Sequence, residues 1–195
     1  MGLYSRNKGK RGERLWASFC REQGYDVHRT AQYRGNTGAA GDVEGLPYIH
    51  CEVKYVQNLN IAKAVAQSIR DCVASDRRNG VIFDSLPIVA SKRAREPWLV
   101  TMYACHFVTR VILLRDEFLD CLHVIHKPAK RFSVRKFLRE SVREYENEKG
   151  ALVAVKYPRG GNASLVTMYA EDWFTLYREW EAGMDLKRRA EREEH

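Results

Sequence analysis

Four charged residues in the first third of the chain have the types that metal-assisted hydrolysis of a phosphodiester needs. They are Glu13, Asp42, Glu52 and Lys54. Mg²⁺ prefers oxygen ligands and usually takes one or two carboxylates with waters and phosphate oxygens, so Asp42 and Glu52 are the predicted ligands, with the main-chain carbonyl of Val53 in reach. Glu13 is expected to complete the shell through water or to support a second ion. Lys54 is expected to orient or help deprotonate the attacking water and to offset phosphate charge.

The first of these residues belongs to a predicted helix. The spacing of apolar residues predicts a helix over Arg11–Gln23, in which Glu13 shares a face with Trp16, Ala17 and Cys20. An acid on that inward face needs a partner. The preceding segment, residues 1–14, alternates basic residues with glycines and is interpreted as a flexible basic arm.

The other three residues belong to a predicted hairpin. Residues 25–31 are expected to form a strand and residues 32–41 a loop of small residues, after which Asp42 leads into a turn at 45–47. The chain then returns as a strand over 48–56. If the hairpin turns in an even register, Asp42 projects on the same side as Glu52 and Lys54.

The composition favours a polyanionic partner. The 195 residues hold 33 Lys plus Arg against 25 Asp plus Glu, and residues 1–110 carry +7 of the net +8. A hydrophobic fraction of 45% excludes wholesale disorder, and no apolar stretch approaches the length of a membrane span, so a cytoplasmic protein without a membrane partner is expected. The residues expected to contact DNA are Arg6, Lys8, Lys10, Arg11, Arg14, Arg29 and Arg34.

In order and spacing, these residues resemble the PD-(D/E)XK nuclease superfamily, in which a helix acid precedes a hairpin Asp and a Glu-x-Lys strand. The run Lys8-Gly9-Lys10-Arg11-Gly12-Glu13, the strand from Tyr25 and the Gly-rich loop before Asp42 are more closely similar to archaeal and phage Holliday junction resolvases. Gly41 departs from the pattern, which has Pro there. The resemblance covers roughly residues 6–107.

The resemblance implies an α/β fold with a restriction-endonuclease-like core, in which helices flank a central mixed β-sheet. It also implies a homodimer with two active sites, Mg²⁺ as cofactor with Mn²⁺ as a substitute, and paired nicks across a four-way DNA junction in recombination or repair. Gln67 matches a glutamine that places substrate or water in many such nucleases. The expected setting is the cytoplasm of a prokaryotic cell or a phage-infected host, with no small-molecule cofactor.

Two other functions stay open. One is a PD-(D/E)XK nuclease of restriction, repair or end processing that acts on ordinary duplex or single strands. The other is a non-catalytic DNA-binding accessory of recombination or packaging, in which Glu52 and Lys54 form a structural ion pair.

The second half of the chain repeats part of the first. The hexapeptide Leu99–Ala104 recurs as Leu165–Ala170, which suggests a second helix-strand-strand-helix unit and predicts domains at 1–122 and 123–195. Elements predicted by the same periodicity are helices over about 60–74 and 106–122 and strands at 86–90 and 98–103. The extension lacks an Asp plus Glu-x-Lys set, and its candidate DNA contacts are Arg135, Lys136, Arg139, Lys156 and Arg159. The five cysteines are interpreted as reduced, mostly buried thiols. The Cys and His residues between 105 and 126 match no closed zinc motif and are interpreted as side chains at half-buried positions.

Overall fold

The structure is a computed structural model that describes residues 3–30, 41–80, 85–108, 122–126, 133–144, 151–156 and 164–193, without the side chains of 3–6, 122–126, 143–144, 151–152 and 156. The chain divides into two compact units, residues 1–102 and residues 103–195. This division falls before the boundary predicted at 122/123, and the domain organisation stays a prediction.

Helix α1 spans Leu3–Glu22 and is longer than the sequence predicts. The interpretation of the basic segment as a flexible arm was wrong for the described residues, because Lys8 to Arg11 continue the helix. Gly12 explains why the helix approaches the sheet so closely: a Cβ at this position would lie 2.5 Å from the Cβ of Tyr55. Tertiary contact with the sheet therefore overrides the weak helix propensity of the glycines.

The predicted hairpin is present in shorter form. The strands are β1 (His28–Arg29), β2 (Val43–Glu44) and β3 (Ile49–Tyr55). Strand β1 pairs antiparallel with β2, and β2 pairs antiparallel with β3, where Val43 lies opposite Cys51. This register satisfies the even-register condition set out from the sequence, since residue 42 then falls opposite residue 52.

The rest of the first unit is a helix and two strands. Helix α2 (Ile61–Arg78) begins at Asn60, whose side chain caps it by accepting a hydrogen bond of 3.1 Å from the Lys63 N–H. Strand β4 (Leu86–Lys92) runs parallel to β3, and β5 (Leu99–Tyr103) runs antiparallel to β4. The strand order in this unit is β1-β2-β3-β4-β5.

The two helices cover opposite faces of β3. The Cys51 thiol interacts with Trp16 of α1, whereas the neighbouring His50 lies in the electrostatic field of Asp71 and Asp76 of α2. Successive residues of a strand point to opposite faces, so α1 and α2 sandwich the sheet. This explains why the polar positions of β3 are as buried as its apolar positions.

The second unit contains a turn of helix α3 (Ala104–His106), strand β6 (Leu122–His126), helix α4 (Val134–Glu144), strands β7 (Ala151–Lys156) and β8 (Leu165–Tyr169), and helix α5 (Ala170–Glu193). The helix predicted over 106–122 was wrong at its end, because residue 122 begins a strand; residues 109–121 lie outside the described residues. Trp173, Phe174 and Tyr177 of α5 are buried in ring contact with one another.

The second unit contains the element order that suggested a repeat. Strand β6 pairs parallel with β7, and β7 pairs antiparallel with β8, as β3, β4 and β5 do in the first unit. The register differs: Val100 lies opposite Ala90, whereas its counterpart Val166 lies opposite Val155, one residue from the equivalent position. The duplication therefore stays a prediction.

The predicted α/β class with a mixed sheet is confirmed. Among the described helices, none has the length and apolar character needed to cross a membrane.

Candidate active site

Asp42 is fixed at the edge of β3 by three hydrogen bonds. Its main-chain N–H donates to the Cys51 carbonyl at 2.9 Å, and its carbonyl accepts from the Thr30 N–H at 3.1 Å. Its carboxylate Oδ2 accepts from the Val53 N–H at 2.7 Å. The Asp42 side chain thus accepts a hydrogen bond from β3 that a backbone carbonyl of a paired strand would otherwise accept. This bond holds the carboxylate beside β3.

The chain passes so close to β3 at residue 41 that this position requires glycine, where the nuclease pattern has Pro. A Cβ at this position would lie 2.9 Å from the Cys51 carbonyl oxygen, so only glycine lets the chain pass β3 this closely. The Thr30 hydroxyl donates to the Gly41 carbonyl at 2.6 Å and fixes the end of the loop. Sequence reasoning missed Thr30; its place directly before the Gly-rich loop was the available signal.

Glu52 and Lys54 form an ion pair on one face of β3. The Lys54 ammonium donates to Glu52 Oε1, and the side chain of Glu52 is only 9% exposed. A carboxylate at this depth needs a compensating cation, and residues two apart on a strand share a face. The pair therefore places a carboxylate and an ammonium next to Asp42.

Glu13 and Arg29 form the second ion pair. The Arg29 guanidinium donates through Nε to Glu13 Oε2, and both side chains are mostly shielded from water. The inward acid of α1 thus finds its partner on β1. Arg29 was expected to contact DNA; its Nε donates to Glu13, and the DNA contact stays a prediction.

The carboxylates repel one another at Asp42. Burial first, and then the negative charges of Glu52 and Glu13, raise the pKa of Asp42 to about 7, against the Val53 N–H and Lys54, which lower it. A carboxylate with this pKa is held in its charged form at a cost. A bound cation would remove that cost, because it would offset the repulsion directly.

The donor set fits a divalent cation. Each of the three carboxylates accepts a hydrogen bond through one oxygen: Glu52 from Lys54, Glu13 from Arg29, and Asp42 from the Val53 N–H. The described hydrogen bonds do not use the second oxygen of any of the three. Within the described part of the chain, no three Asp, Glu, His or Cys side chains form a ready-made cage. Mg²⁺ does not require one, since it usually takes one or two carboxylates and completes its shell with water and phosphate oxygens.

Gln67 lies on the half-buried side of α2, one residue before the buried Ser68. Ser68 faces the sheet, because its hydroxyl donates to the Ile88 carbonyl at 3.1 Å. The described contacts do not join the Gln67 amide to Glu52 or Lys54, so its role stays a prediction.

The basic residues on α1 lie on both sides of Glu13. Arg11 and Arg14 are exposed, and Lys8 and Lys10 are half-buried. None of the four forms an ion pair with a residue that the structure describes, so their charge is available to a phosphate backbone. Two further expected contacts cannot be placed: Arg34 and the side chain of Arg6 lie outside the described residues.

The candidates in the second unit are only partly described. Lys136 and Glu140 form an exposed ion pair of 3.6 Å on α4. The charges of Arg139 and Arg135 lower the pKa of Tyr169, which burial raises overall. Residue 159 and the side chain of residue 156 lie outside the described residues. Of the Cys and His residues, the side chains of 121, 123 and 126 also lie outside them.

Comparison with known proteins places a nuclease among similar structures. No family model matches the chain, and no curated protein matches it. A solved structure that is similar is that of Hjc, a Holliday junction resolvase of Archaeoglobus fulgidus. It is 25% identical over 48% of this chain and 70% of its own, with a TM-score of 0.34. A TM-score this low does not by itself indicate a shared function.

Proposed function

We propose that the chain is a metal-dependent endonuclease that hydrolyses phosphodiester bonds in branched DNA, with four-way junctions as the main substrate. One observation carries the proposal. Asp42 is hydrogen-bonded to the Val53 N–H between Glu52 and Lys54, and burial together with the charges of Glu52 and Glu13 raises its pKa to about 7. Such crowding is costly for a structural site and useful for a site that receives a cation.

The residues would divide the work as follows. Asp42 and Glu52 would hold Mg²⁺, with the Val53 carbonyl as a third oxygen and Glu13 acting through water. The bound ion would acidify a water and offset the charge that builds on the phosphate. Lys54, anchored by Glu52, would orient the attacking water and stabilise the negative charge.

DNA is supported as the partner by the cations of α1, which form no ion pair with a residue that the structure describes. Lys8, Lys10, Arg11 and Arg14 surround Glu13 in sequence and lie on one helix with it, so a phosphate backbone drawn to them would pass the carboxylates. The proposal extends to a restriction-endonuclease-like core with α1 and α2 on opposite faces of its sheet, and to a homodimer with two such sites. The second unit would then serve architecture or dimer contact.

The proposal is tested by incubating the purified protein with labelled four-way junction, matched duplex and single strand, in Mg²⁺, Mn²⁺ or EDTA. We expect paired nicks confined to the junction with either metal and none in EDTA. Cutting of all three substrates would instead indicate a general nuclease. Binding without cutting in any metal would indicate a non-catalytic DNA-binding protein and would reject the proposal.

Two variants connect the activity to the site. Asp42→Asn and Glu52→Gln should abolish nicking while junction affinity stays within about threefold, because each removes a metal ligand and leaves the basic surface of α1 intact. Asp26→Asn makes the same change in net charge at an exposed position and should cut at the wild-type rate. Near wild-type cutting by both site variants would reject the assignment.

A further inference from the structure

A cleft of about 360 Å³ opens in the first unit between α1 and the ends of β3 and β4. Asn7, Lys8 and Arg11 of α1 line one side, and Tyr55, Gln57 and Ala94 line the other. None of these residues carries a negative charge. The lining therefore consists of two cations, one aromatic ring and two amides, together with the apolar side chains of Val56 and Ala94.

The cleft lies where ligands commonly bind in α/β sheets. Strands β3 and β4 are parallel, Tyr55 lies opposite Lys92, and the Val56 N–H donates to the Lys92 carbonyl at 3.2 Å, so the cleft opens at their carboxyl ends. Ligands of open α/β sheets collect at such ends. Ala94 belongs to the turn after β4 and is flanked in sequence by Arg93 and Arg95.

The Tyr55 ring can act as a stacking surface. Tyr55 is half-buried, and α1 packs closely against its Cβ because residue 12 is a glycine. The Lys8 ammonium lies 6.0 Å from the ring centroid, at the outer limit of a cation–π contact. A phosphate arriving between Lys8 and Arg11 would attract that ammonium and free the ring face for a base.

The cleft and the Glu52 side chain lie close along β3 but on opposite faces of it. Tyr55 follows Glu52 by three residues of an extended strand, which is about 10 Å. Because this spacing is odd, Tyr55 lies on the face that α1 covers, together with Cys51, whereas Glu52 lies with His50 on the face of α2. Binding at the cleft therefore does not depend on contact with Glu52.

We propose that this cleft binds one unstacked nucleotide of the DNA, with its base on the Tyr55 ring and its phosphate at Lys8 and Arg11. The amides of Asn7 and Gln57 are placed to meet the base edge. A duplex keeps its bases stacked inside, so the cleft would favour DNA in which a base is already unpaired or easily unstacked. This inference rests on the proposed nuclease function only in naming branched DNA as the source of that nucleotide.

The test measures binding without cleavage. The full-length protein is titrated in EDTA into a fluorescent single-stranded oligonucleotide and into a matched duplex, and 2-aminopurine in the single strand reports stacking by its quenching. We expect tighter binding of the single strand with added quenching. Tyr55→Leu should weaken single-strand binding by about 5- to 150-fold, as measured for loss of one stacking residue, and should abolish the added quenching.

Matched variants separate stacking from folding and charge. Tyr55→Phe retains the ring and should bind within about twofold of the wild type. Arg11→Met should reduce the slope of log affinity against log salt by about 0.7, as expected for one lost phosphate contact with a single strand. Arg77→Met removes an exposed charge at the far end of α2 and should leave both readouts unchanged.

The outcomes separate this inference from the proposed function. Equal single-strand affinity and quenching for Tyr55→Leu and Tyr55→Phe would overturn the inference, even if the protein cuts junctions. Tyr55-dependent binding in a protein that cuts no DNA in any metal would support the inference and reject the nuclease. Equal Tyr55 dependence for duplex and single strand would also overturn it, because a stacked duplex offers no base to the ring.

Discussion

Asp42→Asn should make the metal-free protein more stable at pH 8, although it removes a residue of the candidate active site. The pKa of Asp42 is raised from 3.8 to about 7. Between these two pH values Asp42 keeps its proton in the folded state and has lost it in the unfolded state. The stability of the wild type therefore falls as the pH rises from about 4 to about 7. The Asn variant has no such loss, because its amide does not ionise.

The magnitude follows from the shift. A change of about three pKa units corresponds to about 4 kcal/mol when the carboxylate is fully ionised. Asp42 is half-buried, and screening by water reduces the expected gain to about 2 kcal/mol. The Asn oxygen can still accept the Val53 N–H. For a chain of this size, 2 kcal/mol raises the Tm by about 4–8 °C.

The assay is thermal or urea unfolding of the wild type and Asp42→Asn in EDTA at pH 4.5 and pH 8. We expect the two proteins to be nearly equal at pH 4.5 and the variant to be more stable at pH 8. Mg²⁺ should then stabilise the wild type, by about 2.7 kcal/mol at one hundred times its Kd, and the variant far less. The exposed Asp26→Asn makes the same change in net charge and should show neither effect.

Two results would refute this reasoning. A variant less stable than the wild type at pH 8 in EDTA would show that the hydrogen bonds of Asp42 outweigh the repulsion. A stability difference between Asp42→Asn and the wild type that is the same at both pH values would show that ionisation of Asp42 does not cause it.

Three other substitutions test the contacts around the site. Gly12→Ala should destabilise the protein by about 1–3 kcal/mol in urea unfolding because its Cβ meets β3, whereas Gly9→Ala has 3.8 Å of room and should not; equal effects would contradict the contact. Arg29→Met should lower the Tm by removing the partner of the shielded Glu13, at a cost of about 1–3 kcal/mol, and an unchanged Tm would contradict the pair. Lys54→Ala should lower the single-turnover nicking rate more than junction affinity, and loss confined to affinity would contradict its role.

Local signals made the hairpin and the second helix predictable. The Gly45–Pro47 segment indicated where the chain turns, and the register in which Val43 lies opposite Cys51 aligns Asp42 with Glu52. Asn60 indicated the start of α2 because its side chain accepts a hydrogen bond from the N–H of Lys63, three residues later. Each of these features depends on neighbours in the sequence.

Features set by distant contacts were not predictable. The first turns of α1 contain glycines and no acid that would favour a helix start, and packing against β3 through Gly12 stabilises them. The pair of Glu13 and Arg29 joins residues 16 apart, so the sequence could show that Glu13 needs a partner but not which one. The cleft at Tyr55 was also not predictable, because it forms only where α1 meets the ends of β3 and β4, which are distant in sequence.

The central claim is that Asp42 and Glu52 form a divalent metal centre, and diffraction from crystals soaked in MnCl₂ tests it most directly. Data collected at the manganese absorption edge should show an anomalous peak within about 2.5 Å of an oxygen of each carboxylate, with Glu13 and Lys54 next to it. The same soak of Glu52→Gln crystals should lose the peak. A manganese peak elsewhere, or none at a concentration at which the protein cuts DNA, would contradict the claim.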